Sequence, residues 1–451
     1  MQGPIYLTAD IRRIEQAAGD APLMQRAGAA AADLAANLCR GKDVLVLAGP
    51  GNNGGDARIA AKLLEERFFR VTVTDRVPPE KTWGLVIDGL FGIGLARPIE
   101  GEYAKLVEYT SRQTCPILAI DIPSGIQSDS GRVLGCAIRA THTITFIALK
   151  PGLLTLDGPD HCGEIKVDAL GLQLPAASAW IADPSLFSLK PRPRNFHKGM
   201  AGSLAILGGA AGMTGAALLA GRAALKLGAG RVYVGLLEER APAVDMLAPE
   251  LMLRHPDDAL GVDLDALVIG PGLGTGERAE TLVGAALASE IPCVLDADAL
   301  NLISENTDLR KACAKRSADT LLTPHPAEAA RLLGSTLATV QEDRVKAARL
   351  LAENLNAHTV LKGNGSVLVA RDGHWFINDT GNPGMASAGM GDVLAGMLGA
   401  LLAQRYPGET ALVLGVHLHG AAADALGGMA GLTASELIDS SRKIWNSWLR
   451  S

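Results

Sequence analysis

The sequence feature that most constrains the fold is a repeated pairing of a short apolar segment with a turn rich in glycine or carboxylate. In the first half, the apolar segments LVLAG, LVIDG and ILAID are each followed by such a turn, and SLAILGG, ALVIGPGLG and VLDADAL repeat the pattern in the second half. Continuous apolar runs of this length are typical of buried parallel strands, which are joined by helices. The sequence therefore predicts an α/β protein.

Composition narrows the function classes. The chain has 451 residues, enough for two or three domains, and its 52 glycines and 4% aromatic residues suit glycine-turned α/β folds. A net charge of −6 gives no reason to expect a nucleic-acid partner. The six cysteines are scattered without C-x-x-C spacing, which indicates reduced thiols in a cytoplasmic protein. Neither a signal peptide nor a membrane span is expected.

The α/β pattern is interrupted once. Between Leu172 and Lys198 the chain is rich in proline and has no sustained periodicity, so this is the best linker candidate. We therefore expect two domains, 1–188 and 189–451.

The first glycine loop, Gly49–Asp56, lies between a predicted strand and a helix expected from about Ala57 to Arg67. Gly49, Gly51 and Gly54 satisfy G-x-G-x-x-G, with Asp75 about 20 residues further on, as in dinucleotide-binding folds. An NAD-dependent oxidoreductase is therefore one alternative. Against it, the loop carries more amide and carboxylate groups than a phosphate turn requires, and no separate hydride-acceptor site is visible.

Polar side chains follow the other strands of the first half. Because the carboxyl ends of parallel strands line one crevice, we expect Asn53, Asp88, Asp121 and Ser124 to meet there. Asn53, Asp88 and Ser124 offer hard oxygen ligands, which suit an alkali or alkaline-earth cation. Asp121 is the candidate acid/base.

The motifs GPGNNGGD, DGLFGIGL, DIPSG and FIALKPGLL occur in the order found in the YjeF N-terminal domain, the NAD(P)H-hydrate epimerase, which residues 5 to 172 resemble. That domain is a Rossmann-like three-layer sandwich. The resemblance implies that Asn53, Asp88 and Ser124 hold K⁺ and that Asp121 contacts the substrate near the epimerised carbon. It also implies these substrate-binding residues: Asn52, Asn53, Gly54, Gly55, Asp56, Gly92, Ile93, Gly94, Leu95, Ala96, Arg97 and Pro98.

The most distinctive stretch of the second half is Asn378–Gly396, a glycine-rich loop that runs into an apolar helix. Such a helix start presents unpaired N–H groups and the positive end of the helix dipole, which suit phosphate. The same dipole should keep Asp392 ionised, so that it can accept a proton from a hydroxyl group attacking a phosphoryl group.

Together with this stretch, the motifs GGAAGMTGAALLA, GPGLG, TPHPAE and KGNGS make residues 195 to 445 similar to the ribokinase-like ADP/ATP-dependent NAD(P)H-hydrate dehydratases. The resemblance implies catalysis by Asp392 and use of Mg²⁺ with ADP or ATP. The nucleotide-binding residues that it implies are Lys362, Gly363, Asn364, Gly365, Ser366 and Gly391. The substrate-binding residues that it implies are Ala216, Gly272, Gly274, His325 and Asp392.

The two resemblances predict a bifunctional repair enzyme. It would interconvert the R and S epimers of NAD(P)H-hydrate and dehydrate the S epimer to NAD(P)H at the expense of ADP or ATP. A homo-oligomer is expected, because the family tends to assemble. The alternative is a small-molecule kinase of the hydroxymethylpyrimidine or hydroxyethylthiazole type with a nucleotide-binding front module. His417 and His419 lie in an apolar helical run and are interpreted as buried or capping residues.

Overall fold

The computed structural model describes residues 3–189 and 191–450 and divides into two compact units, Met1–Ile181 and Ala182–Ser451. The boundary at 188/189, as the limit of each catalytic domain, stays a prediction. Within the described residues, no helix has the length and apolarity needed to cross a membrane.

The first unit is built on one parallel sheet, in which the strand order is β2-β1-β3-β4-β5-β6. Its elements are α1 (Thr8–Ala17), α2 (Leu23–Leu38), β1 (Asp43–Ala48), α3 (Asn52–Glu66), β2 (Arg70–Thr74), β3 (Leu85–Gly89), α4 (Gly101–Ser111), β4 (Ile117–Ile120), β5 (His142–Phe146), α5 (Gly158–Cys162), β6 (Glu164–Asp168) and β7 (Ala179–Ile181).

Helices cover both faces of this sheet. On one face Val44, Val46 and Ile87 pack with residues of α1, α2 and α3, and on the other face Leu45, Leu47 and Val86 pack with residues of α4. Alternate residues of each central strand are thus buried on opposite faces, which explains why these strands are continuously apolar. The predicted three-layer Rossmann-like sandwich is confirmed.

The second unit contains a larger sheet in which β10-β9-β8-β11-β12-β13-β14 are parallel and β15 and β16 are added antiparallel. Its strands are β8 (Ser203–Gly208), β9 (Arg231–Leu236), β10 (Met252–Arg254), β11 (Ala266–Ile269), β12 (Cys293–Leu295), β13 (Thr320–Leu322), β14 (His358–Leu361), β15 (Ser366–Val369) and β16 (Trp375–Asn378). Its helices are α6 (Thr214–Leu227), α7 (Pro256–Leu260), α8 (Glu277–Ala288), α9 (Asp298–Glu305), α10 (Thr307–Ala314), α11 (Pro326–Leu333), α12 (Leu337–Glu342), α13 (Arg344–Leu355), α14 (Met390–Ala403), α15 (Gly408–Leu426) and α16 (Ala434–Trp448).

Helix α14 lies at the centre of the second unit and packs closely on α6. A Cβ atom at Gly396 would lie 2.1 Å from the carbonyl oxygen of Ala220, so only glycine allows the two backbones to approach this far. Twelve residues of α14, from Met390 to Ala403, are buried. The helix that follows the distinctive glycine-rich loop is therefore fixed in the core.

One expected boundary is wrong. The first glycine loop was expected to extend to Asp56, but α3 begins at Asn52 and includes Gly54 and Gly55. A Cβ atom at Gly54 would lie 1.9 Å from the carbonyl oxygen of Gly49. Gly54 is therefore required for close packing of the start of α3 on the backbone that follows β1. A prediction that treats every glycine as a helix breaker places the start of this helix too late.

Candidate active sites

The first unit contains a cavity of about 760 Å³ at the carboxyl ends of β1 and β3. The strand order reverses between these two strands, and ligands of open α/β sheets bind at such points. Its lining includes Asn52, Asn53, Asp56, Gly92, Ile93, Gly94, Leu95, Ala96, Arg97 and Asp121, all of which were predicted from the sequence. Gly54, Gly55 and Pro98 are not part of this lining, and their contact with a substrate stays a prediction.

The side chain of Asn53 is buried and, within the part of the chain that the structure describes, unpaired. Its side-chain nitrogen and oxygen are buried and have no hydrogen-bond partner among the described residues. A Cβ atom placed on Gly92 would lie 3.3 Å from the amide carbon of Asn53 and 3.4 Å from Asp121 Oδ2. Asn53 and Asp121 are therefore both next to the backbone of Gly92. Because an unpaired buried amide is costly, its oxygen is suited to a ligand that the protein alone does not supply.

Asp88 and Ser124 are hydrogen-bonded to each other, and neither is part of the cavity lining. The hydroxyl group of Ser124 donates to Asp88 Oδ1 at 2.6 Å, its N–H group donates to Oδ2 at 2.8 Å, and the Phe91 N–H group donates to Ser124 Oγ at 2.9 Å. Burial raises the pKa of Asp88 to about 6. The unpaired amide and the buried carboxylate and hydroxyl groups fit a weakly held cation with oxygen ligands.

Asp121 follows β4 in the left-handed region, with φ of 67°. Its Oδ1 atom accepts from the ammonium group of Lys150, with which it forms an ion pair. The Lys150 side chain is fully buried and also donates to Thr145 Oγ1 at 2.7 Å and to the Phe146 carbonyl oxygen at 2.8 Å. Sequence reasoning missed Lys150, although it lies in the quoted motif FIALKPGLL.

Two further carboxyl groups line the same cavity. Burial, followed by the charges of Asp121 and Glu15, raises the pKa of Asp56 to about 8. Burial and Asp121 also raise the pKa of Glu15, against the opposing charges of Lys150 and Arg12. The cavity therefore contains Asp56, which is protonated at neutral pH, and Asp121, which is paired with Lys150. Glu15 and Arg12 were also missed, because α1 precedes every recognisable motif.

In the second unit, the start of α14 meets Lys362. A Cβ atom at Gly391 would lie 3.4 Å from Lys362 Nζ and 3.8 Å from Asp296 Oδ2. Gly389 takes φ of 91° at the helix N-cap and provides no side-chain cap. Lys362 donates to Asp296 Oδ1 at 3.1 Å, and Thr323 donates to the same oxygen at 2.6 Å. A helix start without a side-chain cap, next to an ammonium group, is suited to bind phosphate.

Asp392 lies in the first turn of α14. Burial, followed by the charge of Asp296, raises its pKa to about 6, and the charge of Lys362 opposes this rise. The prediction from the sequence rests on the helix dipole alone, whereas burial and a neighbouring carboxylate raise the pKa of this group. Asp392 is still ionised at neutral pH, and its pKa is closer to the value that suits a general base.

Lys362 is charged despite its environment. Burial disfavours its ammonium form, but the carboxylates of Asp296 and Glu328 outweigh this and raise the pKa of Lys362 above its ordinary value. Asp296 itself is almost fully buried. Asp296 lies in the segment VLDADAL, and no role was predicted for it from the sequence.

His325 caps α11. Its Nδ1 atom accepts from the N–H groups of Ala327 and Glu328 at 3.1 and 3.4 Å, and the Glu328 carboxylate accepts from the His325 N–H group at 2.8 Å. An accepting Nδ1 requires the proton on Nε2, and burial lowers the pKa of His325. His325 is thus a neutral, half-exposed side chain whose Nε2 atom lies 3.4 Å from Glu328 Oε1.

In the sheet of the second unit, the strand order reverses between β8 and β11, and the loops after these two strands lie at that point. The N–H group of Ala210 donates to the Gly272 carbonyl oxygen at 2.7 Å, and a Cβ atom at Gly272 would lie 3.2 Å from the Cβ of Ala216. The N–H group of Gly274 donates to Asp298 Oδ2 at 2.8 Å. The predicted residues Ala216, Gly272 and Gly274 are therefore brought together at this reversal.

The segment Lys362–Ser366 forms the predicted hairpin between β14 and β15. Ser366 Oγ accepts from the Gly363 N–H group at 3.2 Å and donates to its carbonyl oxygen at 2.9 Å. Arg344 is buried beneath and donates to the carbonyl oxygens of Leu361 and Lys362, both at 3.3 Å. Gly363 and Gly365 both have positive φ. The hairpin tip is thus supported by a buried guanidinium group.

His417 and His419 both lie in α15. From the sequence they are interpreted as buried or capping residues. His419 is buried, and burial lowers its pKa to about 4. His417 donates through Nδ1 to the Ala182 carbonyl oxygen at 2.7 Å. Among the described residues, no group of three or more His, Cys, Asp or Glu side chains is arranged to hold a metal ion.

Similarity to known proteins covers both units. Residues 20–83 and 74–152 match the family described as YjeF-related protein N-terminus, and residues 204–443 match the family described as NAD(P)H-hydrate dehydratase. The bifunctional NAD(P)H-hydrate repair enzyme of Coxiella burnetii is 37% identical over 98% of this chain and 99% of its own. The corresponding enzyme of Escherichia coli is 38% identical over 98% of this chain and 94% of its own.

The chain belongs to the bifunctional NAD(P)H-hydrate repair enzyme family. As in the family, an epimerase unit precedes a dehydratase unit. The resemblance of each half is confirmed, and membership decides against both the vitamin-precursor kinase and the NAD-dependent oxidoreductase.

A solved structure supports the fold of the dehydratase unit. The ADP/ATP-dependent NAD(P)H-hydrate dehydratase of Bacillus subtilis, co-crystallised with ATP and Mg²⁺, is 32% identical and has a TM-score of 0.52, covering 58% of this chain and 95% of its own. A ribokinase-like protein of Enterococcus faecalis, 24% identical, has a TM-score of 0.54 over 62% of this chain and 100% of its own. The ribokinase-like fold predicted for the dehydratase unit is confirmed.

Proposed function

We propose that the two sites of this repair enzyme act in turn on one damaged coenzyme. The epimerase cavity interconverts the R and S forms of NAD(P)H-hydrate, and the dehydratase site removes the hydroxyl group of the S form at the expense of ADP or ATP. The observation that carries this proposal is that polar residues that follow the strands of each sheet lie close together, around Asp121 in the first unit and around Asp392 in the second.

In the dehydratase unit, a phosphoryl group turns the ring hydroxyl into a good leaving group. Asp392 accepts the proton of that hydroxyl, and the N–H groups at the start of α14, with Lys362, hold the transferred phosphoryl group. Gly391 and the hairpin tip 362–366 bind the nucleotide. Gly272, Gly274, Ala216 and the Nε2–H group of His325 face the hydrated nicotinamide.

We propose that Mg²⁺ accompanies the nucleotide, since the related B. subtilis enzyme was co-crystallised with ATP and Mg²⁺. Mg²⁺ would neutralise phosphate charge during transfer. Oxygen-rich phosphates supply most ligands of such an ion, which agrees with the lack of a protein-only metal cluster among the described residues.

In the epimerase unit, K⁺ would be held by Asn53, Asp88 and Ser124. The unpaired Asn53 amide supports this assignment. The ion would supply positive charge beside the substrate, whereas Asp121 handles the proton. The six free cysteines favour the cytosol as the compartment, and assembly into a homo-oligomer stays a prediction.

The test uses purified R and S epimers of hydrated NADH with the full-length protein. With ATP or ADP and Mg²⁺, both epimers should be converted to NADH, and the reaction is monitored by the absorbance of NADH. Asp121→Asn should still consume the S epimer but leave the R epimer, whereas Asp392→Asn should interconvert both and restore neither. Restoration of pure R epimer at the wild-type rate by Asp121→Asn would contradict the assignment of the first site.

A further inference from the structure

The buried ammonium group of Lys150 has no donor left for a ligand. A lysine ammonium group has three N–H donors, and these meet Asp121 Oδ1, Thr145 Oγ1 and the Phe146 carbonyl oxygen. Its side chain is inaccessible to solvent. Lys150 therefore cannot bind substrate directly in this arrangement, and its role must be exerted through Asp121.

The two oxygens of Asp121 are in different situations. Oδ1 accepts from Lys150 and, at 3.4 Å, from the Phe146 N–H group. Oδ2 has no hydrogen-bond partner among the described residues and lies 3.4 Å from the position of a Cβ atom on Gly92, in the cavity lining. One oxygen is thus fixed by the protein, and the other is presented to the substrate.

We propose that Lys150 is the positioning residue of the epimerase site, which holds Asp121 as a carboxylate with Oδ2 directed into the cavity to accept the proton. This inference rests on the proposed epimerase function and deepens it. The backbone of Asp121 supports it, because a non-glycine residue in the left-handed region is strained and needs such fixing contacts.

Inversion of a hydroxyl-bearing ring carbon breaks one C–O bond and forms another. The leaving oxygen takes up a proton and departs as water, an electron pair of the ring stabilises the carbon, and the water that adds to the other face loses a proton. No proton is consumed overall. Asp121 accepts the proton of the incoming water, and the protonated Asp56 is placed in the same cavity as the donor.

The charged groups that line the cavity with Asp121, or pair with it, come from four parts of the chain. Glu15 and Arg12 come from α1, Asp56 from α3, Arg97 from the turn after β3, and Lys150 from the chain after β5. Among these groups, Lys150 is the cation that forms an ion pair with Asp121. Its removal therefore takes away the charge and the hydrogen bond that hold Asp121 Oδ1 in place.

The experiment compares full-length wild type with Lys150→Met, Thr145→Val and the exposed control Lys62→Met. Interconversion of hydrated NADH epimers is measured without nucleotide, so that the dehydratase unit is idle, and the two epimers are separated chromatographically. Lys150→Met should lower kcat about 100-fold or more with little change in KM, in the range typical of a lost acid/base function.

Separate values of kcat and KM distinguish positioning from mere structure. Lys150→Met should lose kcat while KM stays close to the wild-type value, because Lys150 is not part of the cavity lining that would bind substrate. Thr145→Val removes one of the three acceptors without removing charge and should give a smaller loss of kcat. It carries the test should Lys150→Met fail to fold, which circular dichroism would reveal. Lys62→Met should match wild type.

An unchanged kcat in Lys150→Met, or a change confined to KM, would overturn the inference, as would an unchanged kcat in Thr145→Val if only that variant folds. Failure of the proposed function looks different, because then wild type itself would not interconvert the epimers.

Discussion

Replacing Asp392 with asparagine separates the catalytic and structural consequences of one buried carboxyl group. The change keeps the size of the side chain but removes the group that accepts the hydroxyl proton. Loss of an aligned base typically costs about 10²–10⁴ in rate, so dehydration of the S epimer should fall by that factor. Epimerisation, which takes place in the other unit, should continue at the wild-type rate.

The same change should stabilise the dehydratase unit at alkaline pH. The pKa of Asp392 is raised from an ordinary 3.8 to about 6 in the folded protein. The folded state therefore binds this proton more tightly than the unfolded state does. The resulting stability is fully present below pH 3.8 and is lost as the pH rises through 6.

A shift of about two pKa units corresponds to roughly 3 kcal/mol, and partial solvent access of Asp392 reduces it, so we expect about 1–3 kcal/mol. Asparagine cannot ionise and avoids this loss. At pH 8 the unfolding transition of the dehydratase unit should therefore rise by several degrees, by about 2–4 °C per kcal/mol for a domain of this size. The gain should shrink towards pH 4.

The assay is calorimetry of the full-length protein at several pH values, with the exposed carboxylate variant Asp263→Asn as the matched control for loss of one charge. The control should show no pH-dependent gain. An Asp392→Asn variant with an unchanged transition at pH 8 would refute the claim that this carboxylate is held at the expense of stability. Near-normal NADH recovery by it would remove Asp392 from the mechanism.

Three further outcomes are expected. Asp296→Asn should raise the KM for the nucleotide about 10-fold, because Lys362 loses its charged partner, and should move the acidic limb of dehydration to lower pH, as measured by initial rates. Asn53→Ala should raise the K⁺ concentration needed for half-maximal epimerisation while dehydration of the S epimer stays unchanged, and equal K⁺ dependence in both proteins would exclude Asn53 as a ligand. Gly54→Ala, which meets a carbonyl oxygen at 1.9 Å, should destabilise the epimerase unit by about 1–3 kcal/mol in urea unfolding, whereas Gly51→Ala, which meets nothing within 4 Å, should not.

Much of the fold could be predicted from the sequence, because buried parallel strands have continuous runs of apolar residues. The prediction that Asn53 and Asp121 share a cavity was also correct, since residues that follow parallel strands lie at one edge of the sheet. The error concerned a local boundary, the start of α3. Glycines at the start of α3 look like a loop in the sequence, and only the tertiary contact of Gly54 with Gly49 explains why a helix includes them.

The supporting residues of both sites could not be found in this way. Glu15 and Arg12 reach the epimerase cavity from α1, which carries no motif and is distant in sequence from the other lining residues. Arg344 supports the nucleotide hairpin from α13 through contacts to backbone carbonyl groups, which leave no pattern in the sequence. A side chain that acts on backbone or on another side chain becomes recognisable only when the distances are known.

Each unit pairs a lysine with an aspartate at the end of its sheet, and exposure separates their roles. Lys150 is completely buried with three acceptors, so it can only hold its neighbour. The Lys362 side chain is 23% exposed and, among the described residues, donates one hydrogen bond, to Asp296. Two of its N–H donors therefore remain for a phosphate at the start of α14. The same pairing of a lysine with an aspartate thus fixes a carboxylate in the first unit and presents a cation in the second.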